Sequence, residues 1–193
     1  MSRNLEKQIF DYLYKNLSPS RFEHSYNVAI LAVELALKHN EDIFEAQIAG
    51  LLHDCAKNMD QKEMIKILKK NKDAKIFSDI CKFSSQILHS FASEFTAKKE
   101  FKIKNKNILN AIKNHTLGRP NMSNLEKIIF VADCCSKDRK FKETKNICSL
   151  ARIDLDKALV QALKVKIQFV TYNNAWLCPK TLDAWNFYVC KNK

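Results

Sequence analysis

Glycine and proline are scarce, with two and three among 193 residues. That leaves little material for β-hairpin turns and none for the glycine-rich loop of a P-loop nucleotide site. No G-x-S-x-G elbow is present to carry a serine nucleophile. Arginine is scarce too. The net charge of +12 comes from 33 basic residues, of which 28 are lysine and only Arg3, Arg21, Arg119, Arg139 and Arg152 are arginine. Phosphate forks favour arginine. Runs such as "KKNKDAK" and "FKIKNKN" therefore read as solvated helix faces, and nucleic acid is not the expected partner. Long apolar runs are missing as well. "IIFVADCCS" is interrupted long before the ~20 residues a membrane helix needs, so no membrane span is expected. The N-terminus lacks the continuous apolar centre of a secretion signal, and the expected location is the cytoplasm. Seven cysteines, at 55, 81, 134, 135, 148, 178 and 190, show no CxxC spacing. They read as free thiols, with no zinc knuckle and at most a weak redox role for the Cys134–Cys135 pair.

What is present is helical periodicity. Apolar residues recur at three and four rather than two, and the chain reads as all-α. Helices are expected over about 3–16, 20–39, 42–56, 60–71, 84–99, 105–115, 122–134, 154–173 and 180–191. Their caps are Ser18 before Pro19, Asn40 before Glu41 and Asp42, and Ser123 three residues before Glu126. The stretch 136–153 is the least regular and reads as a mobile connection. No linker or repeat divides the chain, so one domain over 1–193 is expected. The C-terminal aromatics Phe169, Tyr172 and Trp176, and the pair Trp185 and Tyr188, lie at helical spacing and read as packing residues rather than a base-stacking surface.

One stretch does not fit a packing role. In "EDIFEAQIAGLLHDCAK" the residues Ile43, Ala46, Ala49, Leu51, Leu52 and Ala56 make an apolar body, which places His53 and Asp54 at the buried end of a core helix. A buried carboxylate costs several kcal/mol or more unless a cation or strong donors compensate it, and a metal ion does so. Adjacent helical residues diverge by ~100°. His53 and Asp54 can share one centre only if it lies off the helix's C-terminal portion. Lys57, three residues after Asp54, falls on the aspartate's side and could neutralise an anionic ligand.

Four of the five histidines, His24, His53, His89 and His115, sit in or at the end of inward-facing segments, while His39 sits at a helix terminus. A lone inward histidine is usually a hydrogen-bonded core residue. Four of them, with an HD pair and with Asp133 closing the apolar run Ile128 to Ala132, point to a metal site instead. The order His24, His53-Asp54, His89, His115, Asp133 resembles the HD superfamily of metal-dependent phosphohydrolases, in the variety with two extra histidines before the last aspartate. "RFEHSYNVA", "AQIAGLLHDCAK", "LHS", "AIKNHTLGRPNMSNLEKIIFVAD" and Arg139 resemble the YqeK family, over about residues 19–139. After Asp133 the chain departs from the family's usual Ile-Glu-Pro-like run and has Cys134, Cys135, Ser136, Lys137, a change in the pocket wall rather than in the ligand set.

The resemblance implies a single HD-domain helical bundle, with the helices over 154–192 packing on the motif region. It implies symmetrical bis(5'-nucleosyl)-tetraphosphatase activity, in which diadenosine tetraphosphate is cut into two ADP by metal-activated hydroxide. It also implies two divalent transition-metal ions; imidazole with carboxylate and no thiolate suits iron, manganese, cobalt or zinc, and iron is expected first, with manganese or cobalt next. His24, His53, Asp54 and Asp133 would hold one ion, and Asp54 would bridge to a second completed by His89 and His115. Such ions activate water and clamp phosphoryl oxygens. Lys57 and Arg139 would act beside Asp54 in catalysis. Substrate contacts are expected from Lys57, Arg139, Arg119, Arg21 and Thr116. The expected partner is a dinucleoside polyphosphate or purine nucleotide, and a homodimer is left open. Two other readings stay open: an HD phosphohydrolase of another specificity (nucleotidase or phosphodiesterase), and a non-catalytic basic module that binds RNA or the ribosome around a structural metal.

Overall fold

The structure is a computed structural model, and it describes residues 3–69, 74–136 and 143–191. The described residues form helices and no strand. The helices are α1 (Arg3–Asn16), α2 (Pro19–Lys38), α3 (Ile43–Leu52), α4 (Gln61–Leu68), α5 (Ala74–Phe83), α6 (Leu88–Glu100), α7 (Lys106–Asn114), α8 (Asn124–Cys135), α9 (Thr144–Ala151), α10 (Leu155–Tyr172) and α11 (Pro179–Lys191). A single 3-10 turn, Ser85–Ile87, leads into α6. No helix among the described residues is long and apolar enough to cross a membrane.

The centre of the bundle is α8. All of its residues from Leu125 to Cys135 are buried, as a helix walled on every side must be. It is surrounded by α2, α3, α7, α9 and α10. Against it, α2 and α3 pack so closely that a Cβ added at Gly50 would lie 2.6 Å from the Ala29 Cα. One of the two glycines is thus fixed by helix contact. The other, Gly118, has a φ of +70° in the turn after α7, a conformation that costs glycine little.

Two of the expected caps are present. Ser18 accepts from Arg21 N, and Ser123 with Glu126 forms a full capping box. The cap of α3 is Asp42, not Asn40: its carboxylate accepts from Phe44 N at 2.8 Å and Glu45 N at 3.0 Å. Asn40 instead turns the chain at a φ of +54°.

Three expectations about the helices are corrected. The helix of the HD pair ends at Leu52, short of residue 56, and residues 53–58 run through turns closed by i→i−3 bonds, Cys55 N to Leu52 O and Lys57 N to Asp54 O. A continued helix would splay His53 and Asp54 apart. A helix not foreseen as its own element, α5, precedes the 3-10 turn. Part of the stretch read as a connection is the helix α9, which buries Ile147 and Ala151 against α8 and α10. Its short apolar stripe is hidden behind a run of charged residues. Residues 137–142 of that stretch lie outside the described residues.

Candidate metal centre and active site

Five segments converge on one point. α2 brings Arg21 and His24 in its first turns, and the turns after α3 bring His53, Asp54 and Lys57. His89 comes from the start of α6, His115 and Thr116 from the end of α7, and Asp133 from the last turns of α8. The four histidines, Asp54 and Asp133 are all buried. Their candidate ligand atoms fall into two sets, His24, His53 and Asp54, and Asp54, His89 and His115, with the atoms of each set within 4.8 Å of one another. Asp54 belongs to both sets. Its Oδ1 lies 3.1 Å from His89 Nε2 and 3.5 Å from His115 Nε2, and its Oδ2 lies 3.8 Å from His53 Nε2. Asp133 Oδ1 stands 3.3 Å from His24 Nε2 of the first set.

The protonation pattern of the rings fits a cation. His53 Nδ1 lies 2.7 Å from Gly50 O, and His115 Nδ1 lies 2.7 Å from Ile112 O. His89 Nδ1 meets Gln86 O in the same way. A carbonyl only accepts, so each Nδ1 carries the proton and each Nε2 is left with a lone pair. Yet His89 Nε2 faces His115 Nε2 at 3.2 Å. Two lone pairs cannot satisfy each other. Nor can they satisfy Asp54 Oδ1, which is buried without a hydrogen-bond partner despite the nearby nitrogens. A metal ion in each set would be shared by these acceptors, and the carbonyl bonds behind the rings are the supports that ligating histidines use.

Burial pushes the His53 imidazole down to about 3, and it lowers His89 as well, so both rings are neutral at neutral pH. Burial alone would raise the Asp54 carboxyl, but at the low pH where it would take up a proton the charge that His53 and His89 then carry outweighs burial and holds it well below the usual carboxylate range. Neutral imidazoles and an ionised carboxylate are the forms that bind metal.

Around this centre Arg21 Nη1 bonds Asp54 Oδ2 at 3.2 Å. Lys57 Nζ touches the His89 ring nitrogens at 3.1 and 3.2 Å and stands 3.9 Å from Asp54 Oδ1. Thr116 Oγ1 lies 3.0 Å from His115 Nε2. Lys57 and Thr116 line a cavity of about 340 Å³ whose floor includes Asp54, His89, His115 and Asp133. A hollow of about 430 Å³ between α6 and α7 is walled by lysines and has no histidine. Of these two, the first holds Asp54, His89 and His115 of the ligand sets.

Arg119, expected among the substrate contacts, is engaged by its neighbours and does not line the cavity. Its Nε and Nη2 form a fork on the buried Glu126 carboxylate, and Nη1 donates to Pro120 O and Asn121 O. It pins the turn after α7 to the start of α8. Arg139 lies outside the described residues. His39, set apart in the sequence, is also apart in space, bonded to Ala151 O.

Two contributors escape a sequence reading. Lys166 of α10 reaches Asp133 Oδ2 at 3.3 Å and His115 O at 2.9 Å, yet nothing marks it among 28 lysines. Ser136, in the run that departs from the family wording, places its Oγ 3.1 Å from His24 Nδ1. The aromatic reading is half corrected. Tyr188 is a core residue whose hydroxyl meets Met122 N, but Tyr172 and Phe169 are exposed, and Trp176 and Phe169 line the cavity.

Comparison with known proteins agrees with this geometry. The symmetrical bis(5'-nucleosyl)-tetraphosphatase of Halalkalibacterium halodurans is 32% identical over 92% of this chain and 94% of its own length. The protein of the same name from Bacillus subtilis is 31% identical over 91% and 92%. A crystal structure from Clostridium acetobutylicum, described as a predicted HD superfamily hydrolase involved in NAD metabolism, superposes with a TM-score of 0.90 at 39% identity, covering 96% of this chain and 97% of that one. The HD domain profile matches residues 21–138, from the arginine beside Asp54 to just beyond the last aspartate, and on that match and these relatives the chain belongs to the HD-domain family.

Proposed function

We propose that this chain is a metal-dependent hydrolase that cuts dinucleoside tetraphosphates, diadenosine tetraphosphate above all, into two nucleoside diphosphates. The observation that carries the reading is the pair of buried ligand sets sharing Asp54 on the floor of one cavity. A structural metal needs only one closed set. The names and near-complete coverage of the relatives support the substrate.

His24, His53, Asp54 and Asp133 would hold one divalent ion, and Asp54, His89 and His115 the other. Iron is the first choice and manganese or cobalt the next, since a mixed imidazole and carboxylate set without thiolate suits them. When bound, such a pair supplies an activated water and charge for the phosphoryl oxygens. The protein's own part is positioning and charge. Asp54 takes both sets into register, and Arg21 holds its Oδ2. Lys57, at the cavity wall within 3.9 Å of Asp54, is placed to neutralise the attacked phosphoryl group. Thr116 orients a phosphate oxygen next to His115, and Arg139 is assigned to the outer phosphates from its sequence position. The buried apolar surroundings of the rings exclude bulk water and strengthen each of these charges.

The test is an assay of stripped protein with metal added back, run on diadenosine tetraphosphate, mononucleotides and NAD. Two ADP per diadenosine tetraphosphate are expected, with one oxygen-18 from labelled water at the attacked phosphate, and more than one equivalent of metal. AMP and ATP as products would refute the symmetrical cut. Preferential turnover of a mononucleotide would favour another HD specificity.

A further inference from the structure

The HD match ends at residue 138, but the cavity does not. One of its walls is built by α10 and the loop after it, through Val165, Phe169, Val170, Trp176 and Leu177. Apart from Lys166 of α10, which is engaged by Asp133 and His115, this wall offers no charged group. Trp176 stacks on Phe83, the last residue of α5, with ring centroids 5.6 Å apart and planes 29° from parallel. It also packs on the smaller apolar cluster formed by α4, α5 and α6. The ring is therefore held in one orientation rather than left to swing.

Trp176 is partly buried against that cluster, whereas Phe83 behind it and Phe169 on the cavity are not core residues. Tyr188, a core aromatic of α11, is 1% exposed, whereas Phe83 is 50% exposed and Phe169 is 56% exposed. An aromatic side of a cavity that is lined elsewhere by charged groups and imidazoles is the arrangement of a ligand pocket with an apolar end and a polar end. The floor accounts for phosphate. Something flat and apolar has to account for the wall.

We infer that this C-terminal wall seats one nucleoside of the substrate, its base against Trp176 and Phe169, while the attached phosphates run to the histidine and aspartate floor. The inference rests on the proposed function for its substrate class and adds the residues that recognise it. The volume agrees. About 340 Å³ lies at the low end of small-molecule pockets, ~300–1,000 Å³. One nucleoside and its nearest phosphates are a reasonable fill, with the far half of a dinucleotide extending outside. Ser84, Gln86 and Thr181 also line the cavity and supply polar side chains for the base edge. The division of labour follows the chain. The HD segment carries the ligand sets, and the segment beyond it supplies the apolar side of the cavity.

The experiment uses the full chain loaded with metal, in wild type, Trp176→Ala and Phe169→Ser. Base-aromatic stacking is worth ~1–3 kcal/mol per base, so KM for diadenosine tetraphosphate should rise roughly 5- to 100-fold in Trp176→Ala, with kcat within about twofold. Inhibition by ADP should weaken by a similar factor, while inhibition by inorganic pyrophosphate, which has no base, should stay as in wild type. Phe169→Ser alters an exposed residue and carries the test if Trp176→Ala does not fold. KM and the ADP-to-pyrophosphate ratio unchanged in the folded variants would overturn the inference. A second readout does not need turnover. The chain has two tryptophans, so Trp185→Phe leaves Trp176 as the only indole, and its fluorescence should respond to ADP and not to pyrophosphate. If the wild type turned over a different nucleotide, the proposed function would fail alone, and the wall would still be judged by the ADP response. No response of Trp176 to ADP would refute the wall whatever the substrate.

Discussion

Replacing Asp54 by Asn keeps the shape of the side chain and removes its charge at the point where both ligand sets meet. Asp54 Oδ1 faces His89 and His115, and Oδ2 faces His53. Each ion would thus lose the negative charge of the carboxylate it shares, and one of the two sets would also lose its oxygen. The new amide N–H₂ could donate to an Nε2 lone pair and fill the space a cation would occupy. For wild type, metal present at about 1,000 times its Kd stabilises the fold by ~4 kcal/mol. In a chain of this size one kcal/mol corresponds to ~2–4 °C in Tm, so the metal-dependent rise should be roughly 8–16 °C. In Asp54→Asn it should collapse to less than about 3 °C. The assay is calorimetry or thermal fluorescence of chelator-treated protein, with and without added iron(II) or manganese(II), alongside elemental analysis. His39→Ala is the control, because His39 bonds Ala151 O away from the centre and should leave the metal-dependent rise as in wild type. Retention of the full rise in Asp54→Asn would refute the shared role. Loss of about half, with one equivalent still bound, would confine Asp54 to a single ion.

Lys57→Ala should lower kcat by ~10²–10³ with metal content retained, the usual cost of losing one transition-state charge stabiliser; an unchanged kcat would make this lysine only a structural partner of His89 and Asp54. Arg119→Met should act on stability instead of KM. It leaves the buried Glu126 carboxylate without its fork, and the cost should be about 2–4 kcal/mol, below that of a fully buried pair because the guanidinium is 37% exposed. A raised KM at unchanged Tm would return Arg119 to the phosphates. Metal-free protein should lose stability as pH falls from 6.5 towards 3, because unfolded His53 takes up a proton that the buried ring, lowered to about 3, refuses. At ~1.4 kcal/mol per pH unit this is roughly 2 kcal/mol between pH 6.5 and 5. The lowered His89 acts in the same direction, and Asp54 joins only below its ordinary value of 3.8. Urea midpoints that stay level or rise from pH 7 to pH 5 would contradict this.

The sequence alone determined the helical class, because two glycines and a three-and-four apolar spacing leave few other ways to bury the chain. It also singled out the six residues of the centre. A charge or imidazole at the end of an apolar run is costly wherever the run folds, so His53, Asp54 and Asp133 were conspicuous without coordinates. What the sequence could not contain was the pairing of distant residues. That Asp54 faces both histidine sets depends on the chain leaving the helix at Leu52, and a periodicity reading carried that helix on to residue 56. That Arg119 serves Glu126 depends on how the turn after α7 folds back on α8. Lys166 and Trp176 reach the cavity only because α10 packs along α8. Nothing in their local spacing distinguishes one lysine or one aromatic from its neighbours. Burial is written into local pattern, whereas proximity between separate segments is decided by packing.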